Sequence, residues 1–321
     1  MTATPFDSAY LHKLFATGEA AKLFTDSAEV RAMMIVLGAL AKVQGASGLI
    51  PETAGKAIHR ASLELQIDPG GLADDTARDG TPVPSVVASF GALMQAPEYV
   101  PYLCHETAPD DIEDSALMLR MRQVLAQADA GLTTLLDDLG AVAGGGHAPD
   151  SATRAARAGW PLLALRDELA LLRQRALPVA LSDADERLRA ALAEALNLTD
   201  PGRGWRDDRA PLRDIAGWSA RLVTALAALA RPDATATPPA AALEALRPQA
   251  AALLTVVNAS PEPQVARLAE RLALPQLLLC ANAALSRAQA LATGLRSTPG
   301  GTGDAPDEAR RFAKAVRSER S

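Results

Sequence analysis

Between residues 111 and 140 the residues Leu117, Met121, Val124, Leu125, Ala128, Leu132, Leu135, Leu136 and Leu139 follow one another at steps of 4, 3, 1, 3, 4, 3, 1 and 3. That spacing lines one face of an α-helix and no face of a strand, where side chains alternate with period two. No proline interrupts the run. At about 1.5 Å per residue the helix is roughly 40 Å long. An apolar stripe of that length stays in water unless other long helices cover it. Residues 162–177, 184–197, 210–230 and 264–294, each rich in Ala, Leu and Arg, are the candidates. The fold class is therefore all-α, an elongated helical bundle.

Composition agrees. Hydrophobic residues make up 49% of the 321 residues but aromatics only 3%, so Ala, Leu and Val carry the core through small-residue interfaces. Ala and Leu lose little side-chain entropy in a helix. The length suits two domains or one large elongated one. Lys and Arg number 32 against 38 Asp and Glu, a net charge of −6. Without a basic field or aromatic platforms, nucleic acid is not an expected partner. Cys104 and Cys280 are far apart and form no CxxC pair, which suits a reducing cytoplasm. The opening MTATPFDSAYLHKLF lacks the cationic start and apolar run of a signal peptide. No stretch approaches about 18 strongly apolar residues, so no membrane span is expected.

Shorter helices are punctuated by glycine and proline. Residues 27–45 carry Val30, Met33, Met34, Leu37, Leu40, Ala41 and Gln44 at helical spacing, stop at Gly48, and restart after Pro51 through 52–66. Asp79-Gly80-Thr81-Pro82-Val83-Pro84 breaks the chain before a helix over 85–95. Gly144–Pro149, Thr199–Arg203 and the proline-broken segment 231–240 are further breaks. Residues 297–304 read as a linker, and 306–318 as a short, charged, solvated helix.

Particular residues carry a family resemblance. Leu23-Phe24-Thr25-Asp26, Val30-Arg31-Ala32-Met33, Ala39-Leu40-Ala41 and Gly48-Leu49-Ile50-Pro51 resemble the opening of the fumarase/aspartase superfamily. The resemblance is strongest to its 3-carboxy-cis,cis-muconate cycloisomerase branch, with adenylosuccinate lyase next. Ala77 to Pro84, Asp111-Ile112-Glu113-Asp114-Ser115-Ala116-Leu117, Trp205 to Trp218 with Arg209 and Asp214, and Glu270 with Leu274-Pro275-Gln276 follow in the family's order. The resemblance implies a helical N-terminal domain over 1–103 and a central long-helix bundle with a truncated C-terminal region over 104–295. A flexible tail over 296–321 completes the chain. It implies a homotetramer whose sites draw three signature regions from different subunits, a small polycarboxylate substrate, and neither cofactor nor metal. The implied reaction, in the β-ketoadipate branch of aromatic catabolism, adds a carboxylate across a double bond to give a lactone through a carbanion-like species.

The signature regions are where this sequence departs. The first region of the family reads His-Phe/Trp-Gly-Ala-Thr-Ser-Gln-Asp; here Cys104-His105-Glu106-Thr107-Ala108-Pro109-Asp110-Asp111 stands, with Ala108 and Pro109 at the Thr-Ser positions. Neither side chain can hydrogen-bond a carboxylate. In the second, His147-Ala148-Pro149-Asp150-Ser151 runs almost directly into Ala155–Trp160, without the Gly-Arg-Thr insert. The third, a Gly-Ser-Ser-x-Met-Pro-x-Lys-x-Asn loop bearing the base, has no counterpart: residues 231–250 contain no Lys, Gly or Ser, and Asp233 is the remaining candidate base. Without a placed base and carboxylate ligands the lactonisation is expected to be lost or severely reduced.

Four residues remain as candidate substrate ligands: Arg209, His105, Asp111 and His147. Each has a plainer alternative. Arg209 suits bidentate carboxylate binding or is a surface arginine paired to Asp207 or Asp208. Asp111 and Asp114 fit a substrate site or the acidic first turn that a helix favours. His105 beside Cys104 and Glu106 suggests a nucleophile or metal ligand, yet no matching set of partners accompanies it. His147 sits in a Gly-rich loop that lacks the Gly-Lys-Ser/Thr of a phosphate loop. Glu270 with Arg267 and Arg271 reads as a helix-face ion-pair group. Trp160, Trp205 and Trp218 read as packing residues, His12 and His59 as helix-surface residues.

Overall fold

The computed structural model describes residues 4–182, 185–230, 237–259, 262–297 and 304–318. Eleven α-helices are present among them: α1 (Asp26–Ala46), α2 (Glu52–Glu64), α3 (Ala73–Asp79), α4 (Val83–Met94), α5 (Pro109–Ala143), α6 (Pro149–Arg175), α7 (Glu186–Leu196), α8 (Ala210–Ala227), α9 (Pro238–Val257), α10 (Pro263–Arg296) and α11 (Asp307–Ser318). The described residues hold no strand, only an isolated bridge between Pro178 and Thr199. The all-α fold class expected from periodicity is the one observed.

The chain forms two compact units. The first contains residues 22–123 and 173–211, hence α1–α4, the opening of α5, and α7. Thr25 caps α1, its hydroxyl oxygen accepting from the Ala28 N–H at 3.2 Å. α2 lies close along α1 because small residues face each other: a Cβ on Gly55 would come within 2.5 Å of the Ala41 carbonyl oxygen. The core gathers Met33, Met34, Leu37, Leu40, Ile58, Phe90 and Ile112 with Val179, Leu188 and Leu192.

The second unit contains residues 1–21, 124–172 and 212–321. There the stripe of α5 is fully covered: Leu125, Leu132, Leu135, Leu136 and Leu139 have no accessible surface. Gln289 on α10 donates to the Gly131 carbonyl at 3.0 Å, and the Trp218 indole of α8 donates to the Leu165 carbonyl at 2.9 Å.

Three elements differ from expectation. The spacing predicts a helix starting at 162, whereas α6 starts at Pro149 and runs through Pro161. An internal proline costs about 3 kcal/mol, but buried Leu162, Leu163 and Leu165 flank it, each contributing about 1.5–3 kcal/mol. The paired prolines 238 and 239 do not break a helix but start α9, where a missing N–H is harmless; residues 231–236, with Asp233, lie outside the described residues. Among the described helices α9 alone is long and apolar enough to cross a bilayer by length and composition, contrary to the expectation from sequence, with 33% of that window buried. It packs against α10. Finally, α11 is not simply solvated: Ala309, Phe312, Ala313 and Val316 are buried along one face.

Candidate functional site

Three of the four candidate ligands, His105, Asp111 and Arg209, belong to the first unit, and His147 to the second. Asp111 and Asp114 stand in the opening turns of α5, where acids favour the exposed N–H groups of the helix start. They do much more than cap. Asp111, 1% exposed, accepts from the Ser182 N–H at 3.0 Å, the Ser182 hydroxyl at 2.9 Å and Arg206 Nη2 at 3.3 Å. Asp114 takes both arms of the Arg209 guanidinium, at 2.8 and 3.0 Å. Arg209 is 2% exposed and lies 5.2 Å over the Trp205 ring. It is therefore not a surface arginine, and the carboxylate that holds both its arms is Asp114. Asp208 accepts from the Ala210 N–H at the start of α8 and from Arg203.

These bonds fasten two chain segments to α5. Residues 177–179 pair with Thr199, Val179 N–H donating to the Thr199 carbonyl at 2.9 Å and Thr199 N–H to the Leu177 carbonyl at 3.0 Å. The buried Ser115 hydroxyl oxygen accepts from the Ala180 N–H at 2.9 Å and donates to its carbonyl at 3.0 Å. The Trp205 indole donates to the Val179 carbonyl at 2.9 Å. Sequence reasoning singles out Asp111 and Arg209, passes over Ser115 and Arg206 as mere members of matched motifs, and misses Ser182, which carries no signal until the chain brings it to Asp111.

The segment at the first signature position is a tight loop. Cys104 and Glu106 adopt φ of +52° and +46°, left-handed values that cost non-glycine residues energy. The His105 carbonyl, not its ring, anchors the loop, accepting from Gln44 Nε2 at 2.8 Å and from the Thr107 hydroxyl at 2.9 Å. Gln44 was visible in sequence as the polar member of the α1 stripe. The Cys104 thiol is pushed up to about 11, first by burial and then by the charge of Asp111, which opposes the thiolate a nucleophile needs. No group of three or more His, Cys, Asp or Glu that could hold a metal occurs among the described residues. In the second unit, half-buried His147 has Nε2 3.2 Å from the Arg296 carbonyl oxygen. Glu270 is 3% exposed, deeper than a helix-face residue.

The fold resembles that of solved structures. The 3-carboxy-cis,cis-muconate lactonizing enzyme from Pseudomonas putida superposes with a TM-score of 0.80 at 23% identity, covering 96% of this chain and 79% of that one. A fumarate lyase from Mesorhizobium sp. BNC1 gives 0.78 at 21% identity, covering 94% and 78%. The chain therefore shares the fold of these solved structures. No family model matches it. In sequence it is similar to a curated 3-carboxy-cis,cis-muconate cycloisomerase of Pseudomonas putida, 30% identical over 120 residues. That stretch is 37% of this chain and 28% of the relative's length.

Proposed function

We propose that this chain is a 3-carboxy-cis,cis-muconate cycloisomerase-like protein that keeps the superfamily fold while its lactonising activity is lost or much reduced. One observation carries this reading: the charged side chains at the substrate-facing motif positions are consumed internally. Arg209 spends its fork on Asp114, and Asp111 is filled by Ser182 and Arg206. Such an arginine offers a substrate carboxylate no bidentate partner unless a buried ion pair is first broken. The loop 104–107 presents Ala108 and Pro109 next to it in place of two hydroxyls. Small polycarboxylates, a homotetrameric state and a cytoplasmic location belong to the same reading.

The test is a turnover assay of the purified protein with 3-carboxy-cis,cis-muconate. No lactone formation above a vector control is expected. Measurable turnover that Arg209→Ala abolishes would overturn the proposal.

A second reading, a non-catalytic assembly homologue, draws on α10. Val265, Leu268 and Leu272 are 54, 54 and 69% exposed at spacings of three and four, an apolar stripe suited to association with another copy or an intact relative.

A further inference from the structure

A cleft of about 460 Å³ opens in the first unit, bounded by α1, α5 and the C-terminal end of α7. None of the four candidate substrate ligands, Arg209, His105, Asp111 and His147, lines it. Ile35, Leu119 and Leu196 give it apolar walls, and its charged lining residues are all cations: Arg31, Arg120 and Arg122. The α1 contribution, Ala28, Arg31, Ala32 and Ile35, is one helical face at i, i+3, i+4 and i+7.

The three arginines are unequally satisfied. Arg31 donates to the Ser62 and Leu63 carbonyls at 2.6 and 3.2 Å. Arg122 donates to the Leu196 and Asn197 carbonyls at 2.6 and 2.5 Å. Both are thus met by the dipoles at helix ends rather than by a counter-charge. Arg120 has an 8% exposed side chain, and its carboxylate partner Glu29 reaches only Nη1, at 3.4 Å. Its Nε is buried with no acceptor. The contrast with Arg209 is sharp, since that guanidinium, also buried, has a two-pronged carboxylate at 2.8 and 3.0 Å. Three guanidiniums against one distant carboxylate leave the cleft cationic, and a buried guanidinium N–H without an acceptor is costly.

We propose that this cleft is a binding site for an apolar monocarboxylate, its carboxylate held between Arg120 and Arg122 and its acyl or cyclic body against Ile35, Leu119 and Leu196. A planar carboxylate matches the guanidinium fork. The apolar walls favour a single charge on a hydrocarbon body over a heavily hydrated phosphate.

Calorimetric titration of the full chain with hexanoate tests this, with neutral hexanamide as the isostere. Saturable hexanoate binding is expected, with hexanamide weaker by about tenfold or more, the loss of one charge-assisted contact. Arg122→Gln weakens hexanoate by about tenfold. Ala195→Phe fills the cleft from its exposed rim, leaves both arginines' bonds intact, and abolishes binding. Unchanged affinity in a folded Ala195→Phe protein, hexanamide binding as tightly as hexanoate, or no binding of hexanoate overturns the proposal. If Arg122→Gln does not fold, Ala195→Phe decides alone.

Discussion

At the scale of single residues, the Asp114–Arg209 pair is the most consequential contact of the first unit. The two side chains are 4% and 2% exposed, so each was desolvated on folding and depends on the other. Removing one partner strands a buried charge and costs about 3–5 kcal/mol, whereas replacing both with apolar groups of similar volume costs less. Arg209→Met is therefore expected to lower urea stability by about 3–5 kcal/mol, and Arg209→Met with Asp114→Leu to recover part of it. A near wild-type midpoint for Arg209→Met would show that the pair does not hold α5 to the 203–209 loop. The thiols offer a second residue-scale expectation. Burial pushes Cys104 up to about 11 and Cys280 up to about 12. Between the ordinary thiol value near 9 and 11, the unfolded chain has lost the Cys104 proton and the native chain retains it. The stability this gives is complete below about 9 and is lost as pH rises toward 11. A thiol reagent at neutral pH should label both cysteines slowly in the native protein and fast in urea. Cys104→Ser should flatten the decline in urea midpoint over that pH window.

At the scale of elements, the docking of α11 on α6 rests on one glycine. A Cβ on Gly159 would fall 2.0 Å from Cζ of Phe312, a ring with no accessible surface that stands edge-on to Trp160 at 5.5 Å. Alanine is intrinsically better than glycine in a helix by about 1 kcal/mol, so propensity alone predicts that Gly159→Ala stabilises. Sterics reverse the sign. Gly159→Ala should destabilise the protein and free α11, seen as new proteolytic cleavage within 307–318. Phe312→Leu, which shortens the ring's reach, should rescue the double variant. The sequence shows this element only in part. The charges of 306–318 suggest a solvated helix, although Ala309, Phe312, Ala313 and Val316 already mark an i, i+3, i+4, i+7 face. α1, α2, α4 and α5 are legible because period, caps and breaks agree. The start of α6 and the whole of α9 are not, because proline reads as a stop while burial or a first-turn position cancels its cost. At the site, Asp111 and Arg209 are legible as motif residues. Their saturation is not, since Arg209 meets Asp114 across a separation of 95 residues and local pattern carries nothing over that distance.

At the scale of the whole molecule, the contrast that matters is between a fold shared with solved enzymes over nearly all of the chain and the loss of turnover proposed above. The fold matches an enzyme over 96% of its length, while the charged motif residues of the first unit are bonded to one another. If selection now acts on assembly rather than turnover, the surfaces that remain apolar should matter more than the motif residues. The α10 stripe is the place to ask. Val265, Leu268 and Leu272 stand out within about two turns, and burying each would contribute about 1.5–3 kcal/mol. The expected outcome is self-association measured by sedimentation at micromolar concentration. Leu268→Glu with Leu272→Glu should shift the distribution to the monomer while leaving helicity by circular dichroism unchanged, because neither side chain is part of the core. Arg209→Ala should do the reverse, lowering stability without shifting association once folded protein is compared. A wild-type chain that sediments as a monomer at every concentration would remove the assembly reading and leave the degenerate cycloisomerase alone.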